Sequence, residues 1–143
     1  MARIISIDYG LKRTGIAVTD PFQIIATGLT TVSSHDLIKF LKEYFIKEPV
    51  ELIIIGEPKN WDDTDTHATP LVRNIIKKIN KEFPAMPLKT VDERYTSKMA
   101  SQAMIDMGMK KMQRRNKALV DEIAATIMLQ EYLRQQDGFT QSL

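Results

Sequence analysis

Cysteine is absent from this chain, which excludes disulfides and thiolate-bound metals and makes a reducing cytoplasm the expected setting. Histidine occurs twice, as His35 and His67, too far apart in sequence to form a paired-imidazole motif. Aromatic residues make up only 7%, with one tryptophan, Trp61, in a polar stretch. No apolar run approaches the length of a membrane span. The opening MARIISIDYG reaches an acid at position 8 after a single basic residue, so it lacks the apolar centre of a secretion signal. Charge of one sign is also lacking: 20 basic against 18 acidic residues give a net +2, too little to argue for a nucleic-acid partner by itself. Internal repeats, linkers and low-complexity segments are not visible.

What remains is a chain of 143 residues that is 43% hydrophobic, enough for one core. A single domain is expected over 1–135, with a disordered tail over 136–143. Strands are expected at residues 3–8, 14–19 and 24–32, joined by short connections as an antiparallel meander. Ser33 and Asp36 stand at capping-box spacing before a helix with the stripe Leu37, Phe40, Leu41 and Tyr44, ended by Pro49. The run VELIIIG (50–56) reads as a central strand buried on both faces. A second helix follows over about 71–83, with Leu71, Ile75, Ile76 and Ile79 on one face. A fifth strand covers 87–91. Thr96 or Ser97 caps a third helix ending near Gly108, and a final helix spans 116–133. The order β-β-β-α-β-α-β-α-α predicts an α/β fold with a mixed five-stranded sheet and helices on both faces.

The segment IISIDYG raises the functional question. A buried apolar strand ends in an aspartate, and a buried acid is costly unless something pairs with it. Other acids also end strands: Glu57 in IGEP, and Asp92 and Glu93 in VDER. Ligands in open α/β sheets sit beyond the carboxyl ends of the strands. On the last helix, Asp121 shares a face with Ala124 and Ala125, and those small residues allow close approach to the sheet. Glu122, about 100° further round the helix, is expected to be solvated. Converging carboxylates repel unless a cation joins them. Mg²⁺ and Mn²⁺ prefer oxygen ligands, and such ions support phosphodiester hydrolysis. Lys12 and Arg13, after Asp8, are placed to meet a phosphate backbone. KKMQRRNK (110–117) carries five basic residues in eight and no acid, including Lys110, Lys111, Arg114 and Arg115, and reads as a second backbone clamp.

Four stretches carry a family resemblance. IDYGLKRTGIAVTD, IIIGEPKNWDD, VDERYTS and KALVDEIAATIMLQEYL resemble, in order and spacing, the motifs of the YqgF/RuvX family. That family comprises pre-16S rRNA nucleases also described as Holliday-junction-resolvase-like. The similarity spans roughly residues 3 to 134. It implies a ribonuclease H-like fold and a metal-dependent nuclease. It also implies metal-binding catalytic acids at Asp8, Glu93 and Asp121, Arg94 on a phosphate, and a role in maturing the 5′ end of 16S ribosomal RNA. Glu57 departs from the family pattern, which has leucine there. With Asp92, it is an alternative for the second acid, since a one-residue shift on a strand reverses the face. The expected partner is nucleic acid, pre-16S rRNA ahead of a DNA junction, on a ribosomal particle or free. A monomer or weak dimer is expected, with no membrane. Three rivals remain: a Holliday junction resolvase, a non-catalytic nucleic-acid-binding module, and an ATPase of the sugar-kinase type. The last needs two lobes where this length supplies one.

Overall fold

The computed structural model describes residues 1–57, 69–92, 102 and 116–141, and the element labels below count within them. Five strands form one sheet in the order β3-β2-β1-β4-β5. They are β1 (Arg3–Tyr9), β2 (Arg13–Thr19), β3 (Ala26–Ser33), β4 (Val50–Glu57) and β5 (Leu88–Asp92). β1, β2 and β3 pair antiparallel, while β4 pairs parallel with both β1 and β5. The helices are α1 (Leu37–Lys47), α2 (Thr69–Glu82) and α3 (Lys117–Gln141). The mixed five-stranded α/β sheet is the architecture expected from sequence.

Strand alternation sorts the core into two layers. Ile5, Ile7, Ile16, Val18, Ile53 and Ile55 face α1 and α2, where they meet Leu37, Leu41, Val72, Ile75 and Ile79. Ile4, Ala17, Leu52 and Ile54 face α3, where they meet Ala125, Met128, Leu129 and Leu133. β4 is buried on both faces because helices cover both. On the α3 side the buried Ser6 hydroxyl donates to the Ala125 carbonyl at 2.9 Å. That bond satisfies a polar group that would otherwise be costly at the sheet centre. None of the described helices is long and apolar enough to cross a membrane.

Several sequence expectations need correction. Ile24 and Ile25 are not in β3; they are 70% and 63% exposed. Their backbone N–H groups donate to Asp20 Oδ1, each at 2.8 Å, which holds them in the β2–β3 turn. Leu71 is 37% exposed and Val72 is 1% exposed, so the buried stripe of α2 is Thr69, Val72, Ile75 and Ile79. Neither Ser33 nor Asp36 makes a side-chain cap, because the chain enters α1 through a 3₁₀ turn over Ser34–Asp36. Glu122 is half-buried against β3: a Cβ built on Gly28 would lie 2.6 Å from its Oε1. Helical backbone continues to Gln141, through the stretch read as a tail. The helix expected at 96–108 lies outside the described residues, apart from Gln102.

Candidate active site

Asp8 is the first of the expected acids that the fold places. It follows Ile4 and Ser6 on the alternating face of β1 that looks toward α3, and it stands opposite Gly15 of β2 in the antiparallel register. α3 comes close to the sheet at Gly15. A Cβ there would lie 2.1 Å from the Asp121 carbonyl oxygen, a separation no side chain tolerates. The absence of a side chain at Gly15 therefore lets α3 rest its backbone on the sheet directly across from Asp8. Asp8 and the backbone of Asp121 thus lie on the same face of the sheet, near the carboxyl end of β1. Ala124 and Ala125 make the helix side small, and the glycine on the strand sets the position.

The first turn of α3 is fixed by its own contacts. Asn116 Oδ1 accepts the backbone N–H groups of Ala118 at 3.1 Å and Leu119 at 3.3 Å, an N-cap. Thr31 Oγ1 donates to the Ala118 carbonyl at 2.6 Å, tying that turn to β3. These bonds set where Asp121 sits along the helix. Its carboxylate Oδ2 lies 3.3 Å from Arg13 Nε, with the side chains 27% and 39% exposed. Arg13, read from sequence as a phosphate ligand, is thus placed on an acid of the site.

The turn that carries Lys12 and Arg13 is braced from below. The Gly10 N–H donates to the Arg13 carbonyl at 2.9 Å, and the Ser34 N–H donates to the Lys12 carbonyl at 3.1 Å. The Ser34 hydroxyl donates to the Gly10 carbonyl at 2.6 Å and lies 2.9 Å from the buried Thr14 hydroxyl. Lys12 itself is exposed. Sequence reasoning missed Gly15, Ser34, Thr14, Thr31 and Asn116. Only Asn116 had a local signal, as a cap residue ahead of a helix.

Glu57 is placed elsewhere. Ile54 belongs to the α3 layer and Ile55 to the other, so alternation puts Glu57 on the α1–α2 face, where it pairs with Arg73 of α2 at 3.6 Å. Asp92 closes β5 opposite Glu57 in register. Glu93, Arg94, Lys110, Lys111, Arg114 and Arg115 lie outside the described residues, as do Trp61 and His67. Among the described residues no three potential ligands surround one point. The pair that is placed offers oxygen donors from two elements, which fits a hard divalent cation.

The chain matches the family model RuvX, described as Holliday junction resolvase, over residues 2–135. It is 57% identical to a protein of Christiangramia forsetii over 93% of this chain and 98% of that one. It is 58% identical to one of Flavobacterium psychrophilum over 93% and 97%. Both relatives are named as candidate pre-16S rRNA nucleases. Among solved structures, T. thermophilus RuvC in complex with Holliday junction substrate superposes with a TM-score of 0.54 at 14% identity, covering 96% of this chain and 97% of that chain. At that identity the likeness is one of fold, and it is the ribonuclease H-like fold.

Proposed function

The chain belongs to the RuvX family, and from that premise we propose that it is a nuclease that hydrolyses phosphodiester bonds at the 5′ end of precursor 16S ribosomal RNA. The carrying observation is that Asp8 and the backbone of Asp121 share one face of the sheet at Gly15. Two carboxylates from separate elements on one open sheet end suit a cation that also binds phosphate. Asp8, Asp121 and Glu93 hold Mg²⁺ or Mn²⁺ in this reading. Glu93 follows two residues after Val91 in sequence, and it is preferred to Asp92 because its whole motif fits the family. Glu57, directed to Arg73, is not part of the set. A divalent ion bound there supplies an activated water and stabilises the leaving oxygen. The protein's own work is to fix the acids, through Gly15 and the capped first turn of α3, and to hold the substrate. Lys12, Arg13, Arg94, Lys110, Lys111, Arg114 and Arg115 grip backbone phosphates, so binding weakens as salt rises. The reaction takes place in the cytoplasm, on free precursor or on a ribosomal particle.

RNA is favoured because relatives above 50% identity carry that name. A second reading, cleavage of DNA junctions, has its own support in the family's description. Both are tested by incubating a precursor 16S 5′ segment and a four-way DNA junction with wild type and with Asp8→Asn, in Mn²⁺ or in EDTA. The expected result is RNA cleavage by wild type with Mn²⁺ only, and a loss of at least about 10³-fold in Asp8→Asn, within the range of a metal's contribution to hydrolysis. Cleavage of the junction alone would move the function to recombination. Full activity of Asp8→Asn would remove Asp8 from the metal site. Cleavage of neither substrate would favour a binding role.

A further inference from the structure

Arg13 stands among the acids that the proposed site needs for its cation. It follows the alternation of Gly15 and Ala17 and so lies on the α3 face of β2, with Asp8 and Asp121. Its Nε is 3.3 Å from Asp121 Oδ2. A guanidinium and a divalent cation cannot share that oxygen without strong like-charge repulsion.

We propose that Arg13 is an exchangeable counter-ion: it holds the Asp121 carboxylate before a divalent cation arrives, yields the oxygen to the cation, and passes its guanidinium to a substrate phosphate. The proposal rests on the reading that Asp8 and Asp121 bind metal. Three observations support exchange over a fixed structural pair. The contact uses Nε alone, and among the described residues the two terminal nitrogens of Arg13 make no hydrogen bond. It therefore lacks the paired, bidentate geometry that makes arginine–carboxylate bonds strong. The pair is also partly solvated, at 39% and 27% side-chain exposure, where ion pairs are weak. Finally, the backbone of Arg13 is held by the turn while its head is held at one atom. The Gly10 N–H and the Ser34 brace fix the turn, so the side chain swings from a rigid pivot.

Arg3, at the other end of β1, shows the contrasting design. Its Nη1 donates to the Thr19 carbonyl at 2.8 Å while its Nε contacts Glu48. One guanidinium is fastened at two points to the fold. The other is fastened at one, to a group with a competing use. Phosphate is the natural second partner for Arg13, since its planar fork matches phosphate oxygens.

The test is Mn²⁺ binding to the full chain by calorimetry, without nucleic acid, for wild type, Arg13→Gln, Arg13→Lys and Asp121→Asn, with thermal melts to confirm folding. Removing a resident cation should tighten binding. Arg13→Gln is expected to bind Mn²⁺ about two- to fivefold more tightly, the scale of a partly exposed ion pair. Arg13→Lys should stay near wild type. The gain should shrink as salt is raised. With a non-cleavable precursor RNA segment and saturating Mn²⁺, Arg13→Gln should bind the RNA more weakly than wild type, and in EDTA, where Arg13 stays on Asp121, that difference should shrink. If Arg13 is only a strut between β2 and α3, Arg13→Gln will lower Mn²⁺ affinity with stability, and that result, or an unchanged affinity, overturns the exchange. Unchanged RNA affinity overturns the hand-over to phosphate. Asp121→Asn separates this proposal from its premise: wild-type Mn²⁺ affinity in that variant removes the metal reading itself. Lost affinity there beside an unchanged Arg13→Gln removes only the exchange.

Discussion

Each end of β2 is organised by an aspartate, and the two are satisfied in different ways. Beyond Thr19, Asp20 accepts the backbone N–H groups of Ile24 and Ile25 at 2.8 Å and of Phe22 at 3.1 Å. All three donors come from its own turn. At Arg13, the partner is Asp121, 108 positions away in sequence, and the donor is a cation on a long side chain. Backbone donors inside one turn have no other place to go, so Asp20 is fixed and only shapes its loop. A cation on a long side chain can leave without unfolding anything. The carboxylate that chemistry can borrow is therefore the one whose partner is a side chain from another element.

The largest expected break in this contrast comes from Gly15→Ala. The new methyl would start 2.1 Å from the Asp121 carbonyl, so α3 must move away from the sheet. Overpacking of this kind costs roughly 1–3 kcal/mol, seen as a lower unfolding midpoint in denaturant. Activity should fall further than stability, because a shift of about 1 Å in a catalytic group can cost about 10²-fold in rate. Wild-type cleavage by a folded Gly15→Ala variant would show that the approach of α3 to β2 does not position the acids. The turn at Asp20, at the other end of the strand, should be untouched.

How much of this was legible in the sequence depends on the range of the physics. The isoleucine runs of β1 and β4 announce their burial locally; Asp8, read as a buried acid, is only half-buried, with Tyr9 following it in β1. Asp121 above Ala124 and Ala125 is legible from helical spacing alone. The partner of Arg13 was not, because it required knowing that α3 crosses β2 at a glycine. Of the predicted α2 stripe, Ile75 and Ile79 are buried and Ile76 packs against the core, but Leu71 gives its place to Val72. Leu71 and Val72 are both apolar, and Ile75 and Ile79 fit either phase, so only packing on the sheet decides. Ile24 and Ile25 read as strand because they are β-branched and apolar. Asp20 captures their N–H groups, and a local carboxylate outcompetes propensity there. Glu57 looked equivalent to Asp8 as an acid at a strand end. Alternation from Ile54 and Ile55 sends it to the opposite face, a distinction that needs the register.

A smaller effect is expected from Ser34→Ala, which loosens the turn at the site end of β2 without touching an acid. The substitution removes the donor to the Gly10 carbonyl and leaves the buried Thr14 hydroxyl without that neighbour. A buried polar group left unsatisfied costs about 1–3 kcal/mol. RNA affinity and Mn²⁺ affinity should both move, since Lys12 and Arg13 ride on that turn, while Ser34→Thr should restore part of each. Equal loss of stability in Ser34→Ala and Ser34→Thr, with both affinities unchanged, would separate the brace from the site.

The smallest effect is expected at the other end of β2, where it is set by pH. The Asp20 carboxyl is held below its ordinary value by the backbone N–H of Ile25, then by those of Ile24 and Phe22. Its folded pKa thus lies below its unfolded one, near 3.9. The stabilisation is then fully present above the unfolded value and disappears as pH falls through the folded value, since protonation removes the acceptor charge. Asp20→Asn carries no such charge at any pH. Wild type should therefore melt slightly higher than Asp20→Asn at pH 6 to 7, and the gap should close as the solution is acidified below about pH 4. RNA cleavage at neutral pH should be the same for both proteins. A gap that does not change with pH would mean that the carboxylate charge does not hold the turn. A loss of cleavage in Asp20→Asn would mean that the two ends of β2 are coupled. The contrast between a fixed and an exchangeable carboxylate would then have to be replaced by one site spanning the whole strand.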